Sequence, residues 1–128
     1  MRNAFLVLFI TLIVCSMNIN CSSSSQTSLS NVAKYGLTSD QYSYVKKETV
    51  QGGKLDYESK LDPSKLVVIN DVAYNRRAAG LYTWALTIRK LGVRTADEAI
   101  ALYEDITSSS LREAHRQAMR NAFESKTE

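Results

Sequence analysis

Residues 62–92 read DPSKLVVINDVAYNRRAAGLYTWALTIRKLG, and the reading of this stretch decides the fold. Asp62 stands before Pro63. Proline at a first helical position gives up no hydrogen bond, and an aspartate ahead of it caps free amides. At the far end Gly92 suits the left-handed residue that closes a helix. Between these signals Leu66, Ile69, Ala73, Leu81, Trp84, Ile88 and Leu91 share one helical stripe, while Val68, Val72, Ala79, Tyr82 and Leu86 share a second. A helix apolar on two sides is normally the central member of a bundle, so the pattern predicts one long helix over about 62–91. Ala78, Ala79 and Gly80 break the run of large side chains. They read as a place where a neighbouring helix comes close, with a kink or a ligand contact as the other reading.

Working outward, helix starts are marked by capping boxes, in which a Ser or Thr and an acid or amide three residues on satisfy orphan amides reciprocally. Thr38 with Gln41 predicts a helix from Ser39 to about Val50, ended by Gly52 and Gly53. Tyr42, Tyr44, Lys46, Glu48 and Val50 also alternate, so a short β-hairpin over about 42–61, turning at the glycine pair, stays open beside the helix. Thr95 with Glu98 predicts a helix to about Ile106, with Ala96, Ala99, Ile100, Tyr103 and Ile106 inward. Ser110 with Glu113 opens the last, with Leu111, Ala114, Ala118, Met119, Ala122 and Phe123 inward. The expected fold class is all-α, a small helical bundle around one long central helix, without internal repeats.

The N-terminus carries a different signal. Met1, Arg2 and Asn3 precede an apolar run from Ala4 to Cys15, followed by a short polar stretch and then Cys21, Ser22, Ser23, Ser24 and Ser25. One positive charge, about a dozen apolar residues and a polar end form the three-part pattern of an export signal. The run is short of the roughly 20 apolar residues that cross a bilayer. Residues 1–25 resemble a bacterial lipoprotein signal, in which a peptidase cuts before a diacylated cysteine. Asn18 stands where that family usually has an aliphatic residue, and Asn20 where it has a small one. The resemblance implies acylation of Cys21 with chains such as palmitate and, with Ser22 next, the periplasmic face of an outer membrane. The serines after Cys21 suit a polar tether. Cleavage near Ser16, giving a soluble periplasmic or secreted protein, is the alternative. The expected organisation is a signal peptide at 1–20, a lipidated cysteine and tether at 21–33, and one helical domain at 34–128.

Composition narrows the function. The chain is 45% apolar and 23% charged, with five glycines and one proline, which is ordinary for one globular domain. Both cysteines lie in the first 21 residues, so the expected mature domain has no disulfide. Without the leader, whose only charge is Arg2, 15 bases and 13 acids leave a net charge of +2, too little for a nucleic-acid binder. His115 is the only histidine and sits beside the apolar stripe of the last helix, which disfavours a nucleophilic triad. His and Cys are too few for a metal set, no acidic run has calcium-loop spacing, and Gly52-Gly53 lacks the Lys-Ser or Lys-Thr of a phosphate loop. Asp97-Glu98 and Glu104-Asp105 are neighbours that face different ways on a helix, unlike a glycosidase pair. The expectation is a non-enzymatic protein with no cofactor and no metal.

What remains points to binding. From Lys65 to Arg94 there are six bases against one acid, from Thr95 to Ile106 four acids and no base, and Arg112, Arg116 and Arg120 recur every fourth residue. Complementary packing of helices explains this segregation. The sharper reading is that Arg112, Arg116 and Arg120, or Arg76 with Arg77, meet an anionic partner such as lipid headgroups, a wall polymer or an acidic protein face. Tyr35, Tyr42, Tyr44 and Tyr57 cluster in the front third and are candidate anchors for a protein or glycan, because tyrosine offers contact area at low rotamer cost. Tyr74, Tyr82 and Tyr103 belong to the core or its boundary. The expected role is a lipid-anchored accessory or binding subunit of a cell-envelope assembly for secretion, conjugation or the wall, with a protein partner. The alternatives are a periplasmic inhibitor of the immunity or exclusion kind and a small wall hydrolase using His115 or Glu98.

Overall fold

The structure, a computed structural model, describes residues 34–126; the leader, Cys21 and the serine tether lie outside the described residues. Along the chain come α1 (Ser39–Glu48), a 3₁₀ turn (Glu58–Lys60), strands β1 (Val67–Ile69) and β2 (Val72–Tyr74), and helices α2 (Arg76–Leu91), α3 (Ala96–Thr107) and α4 (Glu113–Glu124). The protein is a small helical bundle carrying one short antiparallel hairpin. No helix among the described residues is long and apolar enough to cross a membrane.

The first capping box forms as the spacing predicts. Thr38 Oγ1 accepts from the Gln41 amide at 3.2 Å, and Gln41 Oε1 accepts from the Thr38 amide at 2.9 Å. Gln41 Nε2 also donates to the Leu91 carbonyl at 3.2 Å, tying the start of α1 to the end of α2. Residues 42–61 therefore do not form a hairpin. Beyond α1 the chain folds back on the helix end, with the Leu55 amide donating to the Glu48 carbonyl and the Lys54 amide to the Glu48 carboxylate.

The hairpin lies instead inside the stretch expected to be helix. Val67 pairs with Tyr74 and Ile69 with Val72, leaving Asn70 and Asp71 as a two-residue loop. Both loop residues have positive φ, 50° and 64°, the type I′ turn whose twist matches paired strands. Val67, Val68, Ile69 and Val72 are β-branched and stiff, which favours the pleated backbone over a helix. Asp62 accordingly opens a turn and not a helix: its carboxylate accepts from the Ser64 amide at 2.9 Å and from the Ser64 hydroxyl at 2.7 Å. The real start of the central helix is Asn75, whose side chain accepts from the Ala78 amide at 2.8 Å. The two stripes hold from there onward, since Ala79, Leu81, Tyr82, Trp84 and Ile88 are buried. Their front halves do not, because Leu66 and Val68 are about two-thirds exposed.

Helix α2 packs chiefly against α4, then on the 3₁₀ turn and α3. The core collects Tyr35, Val45, Trp84, Ile88, Val93, Leu102 and Met119, all nearly inaccessible. The Thr95 capping box forms, with the Thr95 side chain accepting from the Glu98 amide. Ser110 does not cap α4. The Leu111 amide is taken by the Glu104 carboxylate at 2.8 Å, which holds the chain extended through Arg112, the residue that then precedes α4 without a side-chain cap. This shift leaves Ala114 exposed, while Ala118, Met119 and Ala122 are buried.

Gly80 is the close approach anticipated at the small-residue stretch, but the 3₁₀ turn and not a helix comes near. A Cβ on Gly80 would stand 2.9 Å from the Glu58 amide nitrogen and 3.0 Å from its Cα, both backbone atoms that cannot swing aside. Gly80→Ala should therefore destabilise by about 1–2 kcal/mol in spite of alanine's better helix propensity. Chemical denaturation checks this, and a gain in stability would show that the turn yields freely.

Candidate functional site

The turn held by Gly80 is a wall of an open concave surface. Two adjoining hollows share Glu58 and Arg76. The first, about 660 Å³, lies between Thr49–Gln51, the Asp56–Ser59 segment and Tyr103, Ile106 and Thr107 of α3. The second, about 530 Å³, lies where α2 and α4 begin and is lined by Arg76, Arg77, Ser110, Arg112 and His115 with Glu58.

Each cation has a local reason to be there. The Asn75 cap sets the start of α2, so Arg76 and Arg77 occupy its first turn. Arg76 Nε donates to the Glu58 carbonyl at 2.7 Å, and an Arg77 terminal nitrogen lies 3.5 Å from the Glu58 carboxylate. On the other wall Ser108 turns the chain with φ 51°, and the Glu104–Leu111 bond brings Arg112 to the mouth of α4. Among the described residues no carboxylate lies within ion-pair distance of Arg112. His115 follows on the first turn of α4. Burial, and then the guanidinium groups of Arg77 and Arg112, hold its imidazole below the ordinary histidine range, so the ring is neutral near pH 7.

The first hollow is chemically milder. The Asp56 carboxylate accepts from the Ser59 hydroxyl and the Gly52 amide, which hold it below the usual carboxylate range. Burial pushes the Tyr103 phenol up, so it stays a neutral donor on that wall. Hydroxyls, the satisfied Asp56 carboxylate and the shared Glu58 and Arg76 thus line one end, and three guanidinium groups around the Glu58 carboxylate line the other.

The structure separates the residues that the sequence grouped. Arg112 meets the neighbouring pair Arg76 and Arg77, far from it in the chain, in the second hollow. Arg116 instead pairs with Glu104 at 2.8 Å, and Arg120 pairs with Glu113 and lies 3.9 Å from Asp97. The ridge of three arginines is therefore mostly matched within the fold, and Arg112 alone faces the cleft. Of the front tyrosines, Tyr35 is 1% exposed, stacks on half-buried Tyr42 and donates its hydroxyl to Asp105, so its ring belongs to the core and not to a docking surface. Tyr57 is half-buried and shares a hydrogen bond with Thr87 at 3.0 Å. Tyr44, 41% exposed, is the one of the four that presents its ring to solvent. Cys21 lies outside the described residues.

Glu58 and Ser110 enter the site unannounced, and His115, weighed in the sequence only as a catalytic base, lines the same cleft. Their signal was weak, because a turn residue, a serine in a linker and a boundary histidine acquire meaning only once α2 and α4 are packed. Among the described residues no three His, Cys, Asp or Glu side chains gather as a metal set would. Neither a family model, a curated protein nor a solved structure matches the chain.

Proposed function

We propose that the protein is an exported, lipid-anchored, non-enzymatic binding or accessory subunit of a bacterial envelope assembly. The observation that carries the binding half of this reading is the convergence of Arg76, Arg77 and Arg112 on one open cleft. An exposed concavity with guanidinium donors in excess of acids is built to receive an anionic group of a partner. The anchoring half rests on the resemblance of residues 1–25 to a lipoprotein signal, with acylation at Cys21 and, from Ser22, residence at the periplasmic face of an outer membrane.

Cys21→Ala, exported behind a leader that is cut without acylation, should move from the membrane fraction to the soluble periplasmic fraction, because it loses the several acyl chains that anchor a lipoprotein at about 0.8 kcal/mol per buried methylene. Intact-mass analysis of the wild type should show the added acyl mass on Cys21. An unmodified N-terminus close to Ser16, or a Cys21→Ala protein that stays on the membrane, would overturn the anchor. Capture of one soluble toxin, with no envelope protein co-purifying, would favour the inhibitor reading. Wall-degrading activity lost on His115 or Glu98 substitution would favour the hydrolase.

A further inference from the structure

We infer that the cleft between the starts of α2 and α4 binds a phosphate group, held by Arg77 and Arg112 with Arg76 and Ser110 completing the donor set. The inference extends the binding reading above by naming the chemistry of the anion. Three guanidinium groups line the cleft against the single lining carboxylate of Glu58, and since Asp56 and Asp62 act on Arg76 from beside it, the charge left over falls on Arg112 and on the loosely paired Arg77. That excess suits a phosphate ester, which carries one to two negative charges and several acceptor oxygens, better than a planar carboxylate with one charge.

The donors come from more than one direction. Arg76 commits Nε to the Glu58 carbonyl, which fixes its plane and leaves its terminal nitrogens available. Arg77 touches the Glu58 carboxylate through one nitrogen at 3.5 Å, a loose pairing that a better acceptor can compete with. Arg112 comes from the opposite wall, at the uncapped start of α4, where the first-turn acid Glu113 is engaged by Arg120. His115 faces Arg77, Arg112 and Glu58 and lines the same cleft as Arg76. Burial and then guanidinium repulsion lower the ring's pKa, and an anion entering there offsets the second of these. His115 is the only histidine in the chain and so reports the site without ambiguity.

The test titrates inorganic phosphate into the full-length protein in detergent and follows the His115 ring by NMR across pH. The expected result is saturable binding with a dissociation constant of about 1–10 mM, and a His115 pKa that rises when phosphate is present. Arg112→Glu and, independently, Arg77→Gln should weaken binding about tenfold or more. Lys46→Glu, the same charge change as Arg112→Glu at an exposed position of α1, should leave it unchanged. An unsaturated response, an equal loss in Lys46→Glu, or saturation by polyglutamate but not by phosphate overturns the proposal.

Two vesicle arms then identify the source of the phosphate. Cys21→Ala protein freed of its leader, binding phosphatidylglycerol vesicles over phosphatidylcholine vesicles with the preference abolished by Arg112→Glu, assigns the site to lipid headgroups. Equal binding to both vesicles, with inorganic phosphate still bound, assigns it to a soluble or polymer-borne phosphate ester. Failure of phosphate binding in a protein that Cys21→Ala still releases overturns this site and leaves the envelope reading standing. Phosphate binding by a protein that never associates with membranes does the reverse.

Discussion

Trp84→Ala should lower the unfolding free energy by about 3–5 kcal/mol. Trp84 is 2% exposed, and its ring meets Tyr103 of α3 edge-on at 5.1 Å with an interplanar angle of 83°. Its indole N–H donates to Thr49 Oγ1 at 3.0 Å, and that hydroxyl in turn donates to the Val45 carbonyl. One side chain thus joins the end of α1, the middle of α2 and the outer helix α3. Truncation opens a cavity, removes an aromatic pair and leaves the Thr49 hydroxyl short of a donor. For a domain whose total stability is about 5–15 kcal/mol, that is roughly a fifth or more. Trp84→Phe should cost clearly less, because the ring volume is mostly kept. Chemical denaturation at constant pH decides the matter, and a loss under about 1 kcal/mol would show that the residue is not a core member.

Glu104→Ala should cost about 2–3 kcal/mol, which is large for a partly exposed acid. Its carboxylate accepts from the buried Leu111 amide at 2.8 Å and from Arg116 at 2.8 Å. Removing it orphans the amide and releases Arg116, whose Nε is already buried without a partner. The amide bond and then the Arg116 guanidinium hold the Glu104 carboxyl below the usual range. A carboxyl lowered on folding stabilises fully above its unfolded pKa, about 4.3, and the contribution fades as pH falls through the lower folded value. The penalty of Glu104→Ala should therefore be full at pH 6–7 and shrink steadily below about pH 4. Denaturation of both proteins across that range checks it, and a penalty independent of pH would mean that charge is irrelevant there. Because this bond also delivers Arg112 to the cleft, the same variant should weaken anion binding.

Much of the fold was legible because its signals are local. Thr38 with Gln41 and Thr95 with Glu98 satisfy amides within one turn, so nothing distant had to be known. Gly92, with φ 123°, ends α2 where its conformational freedom says it should. The helix expected from Asp62 failed because a period of 3.6 was read through residues whose β-branching favours strands. Asn70-Asp71 between valines and isoleucine was a turn signal in plain view. The Ser110 box failed for a tertiary reason, since Glu104 from the previous helix captured the Leu111 amide first. At the site, arginine positions were readable but their convergence was not. Whether Arg112 faces a cleft or Arg116 meets a carboxylate depends on how α4 is rotated against α2 and α3.

The hairpin has a bearing on behaviour at high concentration. Its two outer edges are unpaired among the described residues, and Leu66, Val68 and Val72 lie bare beside them. A long flat ribbon of that composition would recruit further chains edge to edge. Here each strand is three residues long, and the type I′ turn gives the ribbon a strong twist. A second chain laid alongside could form only a few main-chain bonds before the twist carried the edges apart. Brevity thus leaves the bare valines beside an edge too short for a second chain to build on.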